Sequence, residues 1–235
     1  MYTVETLDYS IERTKSCIHG LDELIQGGFP KGNLIVVSGG PGTGKTVFCW
    51  QFLHEGIKQY DEPGVYVALE EPDINIVRGA KQFGWDMLEH IENGKLQIIN
   101  SELYDFDRLK EAIENSIFSI GARRVVIDPG VIFKMFFTDK FDARKRVMSL
   151  GKMLKQIGCT TIITSEADSN GNGQIWGLEE FLADGVIQLH HTAINDKFER
   201  KLGVIKMRGT RIAEERKKME ITDKGIVVNG KKLHK

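Results

Sequence analysis

Leu34-Ile35-Val36-Val37-Ser38-Gly39-Gly40-Pro41-Gly42-Thr43-Gly44-Lys45-Thr46 runs from an apolar tetrad into a glycine-rich turn and stops on a lysine and a threonine. Its last eight residues fit G-x-x-x-x-G-K-[ST], the phosphate-binding loop, and residues 47–60 behind them are compatible with a helix. Strand, loop and helix in that order are the context the motif needs. Glycines let backbone N–H groups turn inward around an anion, and the helix start adds its partial positive charge. Lys45 then reaches the β- and γ-phosphates of a nucleoside triphosphate, and the Thr46 hydroxyl is placed to ligate Mg²⁺.

Outward from the loop, strand-like and helix-like stretches alternate. Val65-Tyr66-Val67-Ala68-Leu69 reads as a strand and residues 73–83 as a helix. Leu96-Gln97-Ile98-Ile99 is a further strand, and Leu109, Ile113, Ile117 and Ile120 repeat at helical spacing within residues 106–120. Val125-Val126-Ile127, a helix over 142–156 and Thr160-Thr161-Ile162-Ile163-Thr164 continue the pattern. Such alternation implies a parallel sheet wrapped by helices. Beyond about residue 177 the runs 185–189, 201–207, 218–222 and 226–228 follow one another with turns and no helix, which predicts antiparallel strands extending one edge. With no linker, repeat or low-complexity tract, residues 1–235 read as one α/β domain, a length that buries a full core.

Composition excludes little but is informative. The 32 basic and 33 acidic residues leave a net charge of −1, so bulk charge directs the chain neither to nucleic acid nor to a membrane. Cys17, Cys49 and Cys159 are isolated, which reads as reduced thiols, with Cys49 and Cys159 as small buried apolar groups. Met1-Tyr2-Thr3-Val4-Glu5 lacks the basic start and apolar core of a signal peptide, and no apolar run approaches membrane-spanning length. A cytoplasmic protein without a membrane partner is expected.

Four features narrow the chemistry around the phosphates. Glu70 and Glu71 close the second strand, at the end where parallel sheets place ligands. A carboxylate there can take a proton from water and aim it at the γ-phosphate; a solvated acidic turn before Pro72 is the plainer reading. On an extended strand the two would point to opposite sides, so one is expected to face the nucleotide. Asp128 ends an apolar strand, the usual form of the carboxylate that holds Mg²⁺, and Pro129-Gly130 behind it suits the centre of a type II turn. Ser165, followed by Glu166, ends the next strand as either a phosphate-sensing hydroxyl or a capped strand end. Lys206 and Arg208, two apart on a strand, share a face with Met207 opposite and no nearby acid in sequence. They suit a polyphosphate, or are simply solvated.

Together with Gly20-Leu21-Asp22-Glu23-Leu24-Ile25-Gln26-Gly27-Gly28-Phe29-Pro30, Phe83-Gly84-Trp85-Asp86, Thr164-Ser165-Glu166, Glu179-Glu180-Phe181-Leu182-Ala183-Asp184-Gly185-Val186-Ile187, Lys206-Met207-Arg208-Gly209-Thr210 and Ile221-Thr222-Asp223-Lys224-Gly225-Ile226-Val227-Val228, these stretches carry a likeness over nearly the whole chain. The sequence resembles the KaiC-like branch of the RecA superfamily of ATPases. The resemblance implies a RecA-like core binding ATP with Mg²⁺ and hydrolysing it slowly. It makes Glu70, with Glu71, the catalytic glutamate pair, Asp128 the metal-holding aspartate, and Lys206 and Arg208 the cations that reach a neighbouring subunit's ATP. It therefore implies a homo-oligomer, a hexameric ring or a filament. Pro129-Gly130 departs from the polar residues common after that aspartate. One domain, rather than two with a phosphorylated extension, disfavours a clock function, and the short segment before Gly20 disfavours full strand exchange.

Three roles follow. The first is a recombinase-like accessory ATPase on single-stranded DNA, with Phe133-Lys134-Met135-Phe136-Phe137 offering aromatics beside a lysine for stacking on bases. The glycine-rich stretch of residues 168–176 would be its second channel loop. The second is a signalling or scaffold ATPase that switches protein partners without DNA. The third is autophosphorylation on serine or threonine.

Overall fold

The computed structural model describes residues 10–100, 105–130, 136, 139–166, 183–194 and 197–228. In chain order the elements are β1 (Arg13–Thr14), β2 (Phe29–Pro30), β3 (Leu34–Gly39), α1 (Lys45–Tyr60), β4 (Gly64–Ala68), α2 (Asp73–Lys81), α3 (Met87–Glu92), β5 (Leu96–Asn100), α4 (Phe106–Ile120), β6 (Arg124–Asp128), α5 (Lys140–Ile157), β7 (Thr160–Ser165), β8 (Gly185–Ile194), β9 (Lys197–Met207), β10 (Lys217–Thr222) and β11 (Gly225–Val228). Nine strands form one sheet in the order β11-β10-β9-β8-β3-β7-β6-β4-β5. From β8 to β5 every pair is parallel. From β8 to β11 every pair is antiparallel.

The period of two along β3 divides the core. Ile35 and Val37 face a cluster with Phe48, Phe52 and Leu53 of α1 and Ile76 of α2. Leu34 and Val36 face the other side, against Leu109 and Ile113 of α4 and Val147 and Leu150 of α5. An α/β sheet with helices on both faces is the expected architecture, and β3, buried along its whole length, is its centre.

Three differences from expectation have local causes. Residues 185–189 do not belong to a purely antiparallel extension: β8 lies parallel to β3 and antiparallel to β9. Val186, Ile187 and Leu189 are buried on alternate faces, and a run apolar on both faces belongs inside a sheet. Helix α3 was not expected; Asp86 caps it by accepting the Glu89 N–H at 3.1 Å. The third is Arg124, which sequence places on the flank of an apolar strand. Its side chain is fully buried, paired with Glu62 at 2.6 Å and lying 4.4 Å over the Phe52 ring. Cys49 and Cys159 are buried free thiols, as expected.

Candidate nucleotide site at the carboxyl end of the sheet

Strand β3 delivers the glycine loop to the carboxyl end of the parallel strands, and α1 starts at Lys45. Gly42 at φ 71° and Gly44 at φ 104° take backbone angles that side chains disfavour, which is why the turn needs glycine at both. Thr43 braces the turn by donating its hydroxyl to the Gly40 carbonyl at 2.8 Å. Lys45 Nζ folds over the loop, donating to the carbonyls of Gly39 at 2.8 Å and Gly40 at 3.1 Å. Burial pulls its ammonium below the usual lysine value, opposed by the Glu166 and Asp128 carboxylates.

Asp128, at the end of β6, is held by three hydroxyls. Thr46 Oγ1 donates to Oδ2 at 3.0 Å, the Tyr66 hydroxyl donates to the same oxygen at 2.8 Å, and Thr164 Oγ1 donates to Oδ1 at 2.6 Å. Burial, and the neighbouring Asp128 carboxylate, push the Tyr66 phenol well above its ordinary value, so it stays a neutral donor. A cavity of about 160 Å³ opens over these groups and is also bordered by Glu70, Glu71 and Glu166.

The hydroxyl of Thr46 and the carboxylate of Asp128 are hard oxygen donors within 3.0 Å of each other, a set that fits Mg²⁺. Among the described residues no three His, Cys, Asp or Glu side chains gather to cage a metal. A small divalent ion here would draw its remaining ligands from phosphate and water, as Mg²⁺ does.

Several expectations change. Glu70 and Glu71 both border the cavity, because β4 ends at Ala68 and residues 69–71 bend, so strand alternation does not reach them. No type II turn follows Asp128: the Asp128–Pro129 peptide is cis and Gly130 lacks the positive φ that turn requires. Gly130 is instead pressed on β7, where an added Cβ would lie 2.5 Å from the Thr164 carbonyl oxygen. Ser165 is buried within β7 beside Ser38, and Glu166 rather than Ser165 borders the cavity. Tyr66, Thr164 and Glu166 were not singled out from sequence; a hydroxyl or carboxylate at the end of an apolar parallel strand is the signal that finds the last two.

Lys206 and Arg208 are not brought to this cavity. Met207 pairs with Gly185, and Gly185 with Ile35, whereas the phosphate loop begins after Gly39. Four strand residues, about 13 Å at ~3.3 Å each, separate those rows. Nor are the cations free of acids: Arg208 Nη1 lies 3.4 Å from Asp184 Oδ1, and Lys206 Nζ donates to the Ala183 carbonyl. Of the two stretches read as channel loops, only Phe136 is described, and it packs edge-on against Phe106 at 6.0 Å; the rest of residues 133–137 and all of 168–176 lie outside the described residues. Among the described residues no helix is long and apolar enough to cross a membrane.

A glycine loop between a buried parallel strand and a helix, facing an aspartate at the end of a second parallel strand, defines a P-loop nucleotide-binding protein with a RecA-like core. Residues 14–233 match the family model described as ATPase: KaiC. The chain belongs to that family, and at the family level it is an ATP-binding ATPase domain. It is 36% identical over 242 residues to a UPF0273 protein of Methanocaldococcus jannaschii, covering 96% of this chain and 99% of the relative. It is also 36% identical over 228 residues to the circadian clock oscillator protein KaiC of Synechococcus elongatus, but spans only 44% of that protein. The crystal structure of a KaiC-like protein from Pyrococcus horikoshii OT3 superposes with a TM-score of 0.85 at 38% identity, covering 93% of this chain and 99% of that one.

Proposed function

We propose that this chain is a Mg²⁺-dependent ATPase of one domain whose nucleotide sites are completed by a neighbouring copy, in a ring or filament. Loop N–H groups and Lys45 take the β- and γ-phosphates, while Thr46 and Asp128 would hold the Mg²⁺. Bound there, Mg²⁺ supplies charge neutralisation on the phosphate oxygens. Glu70, with Glu71 beside it, accepts a proton from the attacking water and directs the oxygen at the γ-phosphate. Tyr66 and Thr164 keep the Asp128 carboxylate aimed across the cavity.

The convergence of Lys45, Thr46, Asp128, Glu70 and Glu71 on one cavity supports the ATPase reading. The distance of Lys206 and Arg208 from that cavity supports the shared site, since neither cation can serve its own chain's phosphates from the foot of the sheet. Arg208→Ala tests it. ATP affinity should stay within about twofold while turnover falls about tenfold or more, as for loss of a transition-state cation. Unchanged turnover in assembled protein would refute the role in trans.

Hydrolysis that switches self-assembly and protein contacts is the role we favour over action on single-stranded DNA. The net charge of −1 offers no bulk attraction for a polyanion, and Phe136 packs inward against Phe106. Single-stranded DNA that bound with ATP and Mg²⁺ and raised turnover would reverse that preference. Intact mass after incubation with ATP, showing added phosphate, would establish the autokinase reading instead.

A further inference from the structure

Ala183 and Asp184 lie between the two cations and the central strand. The Asp184 carboxylate is nearly buried, its side chain 8% exposed, yet it is hydrogen-bonded on every side. Its Oδ2 accepts the Leu34 N–H at 3.1 Å, and its own N–H donates to the Leu34 carbonyl at 2.8 Å. That pair of bonds clips it to the foot of β3. Its carbonyl accepts the Arg208 N–H at 2.9 Å, fixing the backbone that carries the guanidinium. Its Oδ1 then takes Lys155 Nζ at 3.1 Å, which also reaches Oδ2 at 3.2 Å, and Arg208 Nη1 at 3.4 Å. Lys206 is tied to the preceding carbonyl, that of Ala183. The β8–β9 pairing shifts register between Val186 and Ile187, just past this dipeptide.

The two ends of this clamp differ in exposure. Asp184 is 8% exposed, whereas the Lys155 and Arg208 side chains are 56% and 62% exposed. The Asp184 carbonyl and carboxylate thus hold the backbone N–H and the Nη1 of an arginine whose side chain is otherwise open to solvent beside a cleft of about 220 Å³ lined by Val147, Met148 and Lys152. The grip is also shared: one oxygen serves two cations, and the Arg208 contact is the longer. Such a contact orients the guanidinium without saturating it, leaving N–H donors for a stronger anion.

We propose that Asp184 is a positioning residue for catalysis in the neighbouring subunit, holding Arg208 where it meets that subunit's triphosphate; this rests on the shared-site reading above. The carboxylate limits the rotamers of a long, exposed side chain before assembly, so less ordering remains to be done when the phosphate arrives. Because Asp184 hangs on Leu34, and the phosphate loop follows Gly39 on the same strand, each subunit's donor cation and its own ATP site are fixed to one rigid element.

The test uses the full chain. Asp184→Asn keeps an acceptor for the Leu34 N–H and removes the charge that holds Arg208. Thermal unfolding within a few degrees of wild type, ATP affinity within about twofold and kcat lowered about tenfold are expected, because misplacement of a catalytic group costs rate rather than ground-state binding. Asp184→Asn is then co-expressed with Glu70→Gln, which keeps Asp184 and Arg208 but is deficient in its own hydrolysis. Mixed assemblies should regain turnover several-fold above the sum of the two proteins alone. A parallel mixture of Arg208→Ala with Glu70→Gln reports on the shared site itself. If that mixture regains turnover while Asp184→Asn keeps the wild-type rate, unfolds, or is not rescued, Asp184 is at most structural and the proposal fails with the shared site intact. If neither mixture regains turnover, the shared-site reading falls and takes this proposal with it.

Discussion

At the carboxyl end of the sheet, Thr46, Tyr66 and Thr164 all donate to Asp128 within 3.0 Å, and Lys45, Glu70, Glu71 and Glu166 line the cavity with Thr46, Tyr66 and Asp128. At the opposite end, the Lys206 ammonium donates to the Ala183 carbonyl and Arg208 Nη1 pairs with Asp184, and neither cation faces the phosphate loop of its own chain. The first end is a preorganised receptor, with Asp128 held by three hydroxyls and Lys45 by two loop carbonyls. The second is a cationic pair, with Arg208 exposed and Lys206 half-buried. On the shared-site reading proposed above, these two ends, whose rows lie about 13 Å apart along the sheet, are parts of one nucleotide site contributed by different subunits. Heterologous, head-to-tail contact brings such parts together and propagates into rings or filaments.

Substitutions at the carboxyl end should act on the ATP and Mg²⁺ held by the subunit that carries them. Lys45→Ala removes the cation that lies over the loop, and ATP affinity should fall a hundredfold or more in fluorescent-nucleotide titrations, since a charge-assisted phosphate contact in a half-buried site is lost. Wild-type affinity in that variant would mean that the cavity is not the ATP site. Thr164→Val removes the 2.6 Å bond to Asp128 Oδ1 at nearly constant shape. Apparent Mg²⁺ affinity in the ATPase assay should weaken about tenfold, the usual cost of an outer-shell partner, with ATP affinity little changed. An unaltered Mg²⁺ dependence would separate Asp128 from the metal.

The smallest expected effect lies away from both ends, where α1 meets α3. His54 is buried, hydrogen-bonded to His90 at 2.9 Å and stacked on Trp85. Burial first, then the neighbouring His90 and the Lys58 ammonium, lower its pKa to about 4. The unfolded chain therefore binds a proton near pH 6.5 that the folded chain refuses until near pH 4, so stability falls as pH drops through that window. By pH 5.5 the loss should be on the order of 1 kcal/mol in urea denaturation, and His54→Gln should flatten it. If His54→Gln leaves the acid loss intact, the proton is taken up elsewhere.

Both ends were not equally legible in the sequence. The loop from Gly39 to Thr46, the helix over Phe106–Ile120 and the strand ending at Asp128 are written in local patterns of glycine, apolar period and a terminal carboxylate. The repeat of Leu109, Ile113, Ile117 and Ile120 marked helix α4, and the structure adds the Asp105 cap before it and the left-handed Gly121 after it. Tyr66 and Thr164 escaped notice because they meet Asp128 only after strands 62 and 36 residues distant are laid side by side. The bend after Ala68 escaped for a different reason, since nothing in Leu69-Glu70-Glu71 forbids continued extension. Arg124 was given no role from sequence, because its partner Glu62 precedes β4, 62 residues away in the chain. The acid beside Arg208 was likewise hidden, 24 residues away on the edge of β8.

A shared site makes turnover depend on neighbours. Turnover per subunit should therefore be measured across protein concentration, with particle mass read by light scattering in ADP and in a non-hydrolysable ATP analogue. A head-to-tail site predicts negligible turnover in dilute monomer, a rise in parallel with the assembled fraction, and larger particles with the analogue than with ADP. Full turnover per subunit in a monomer would contradict it.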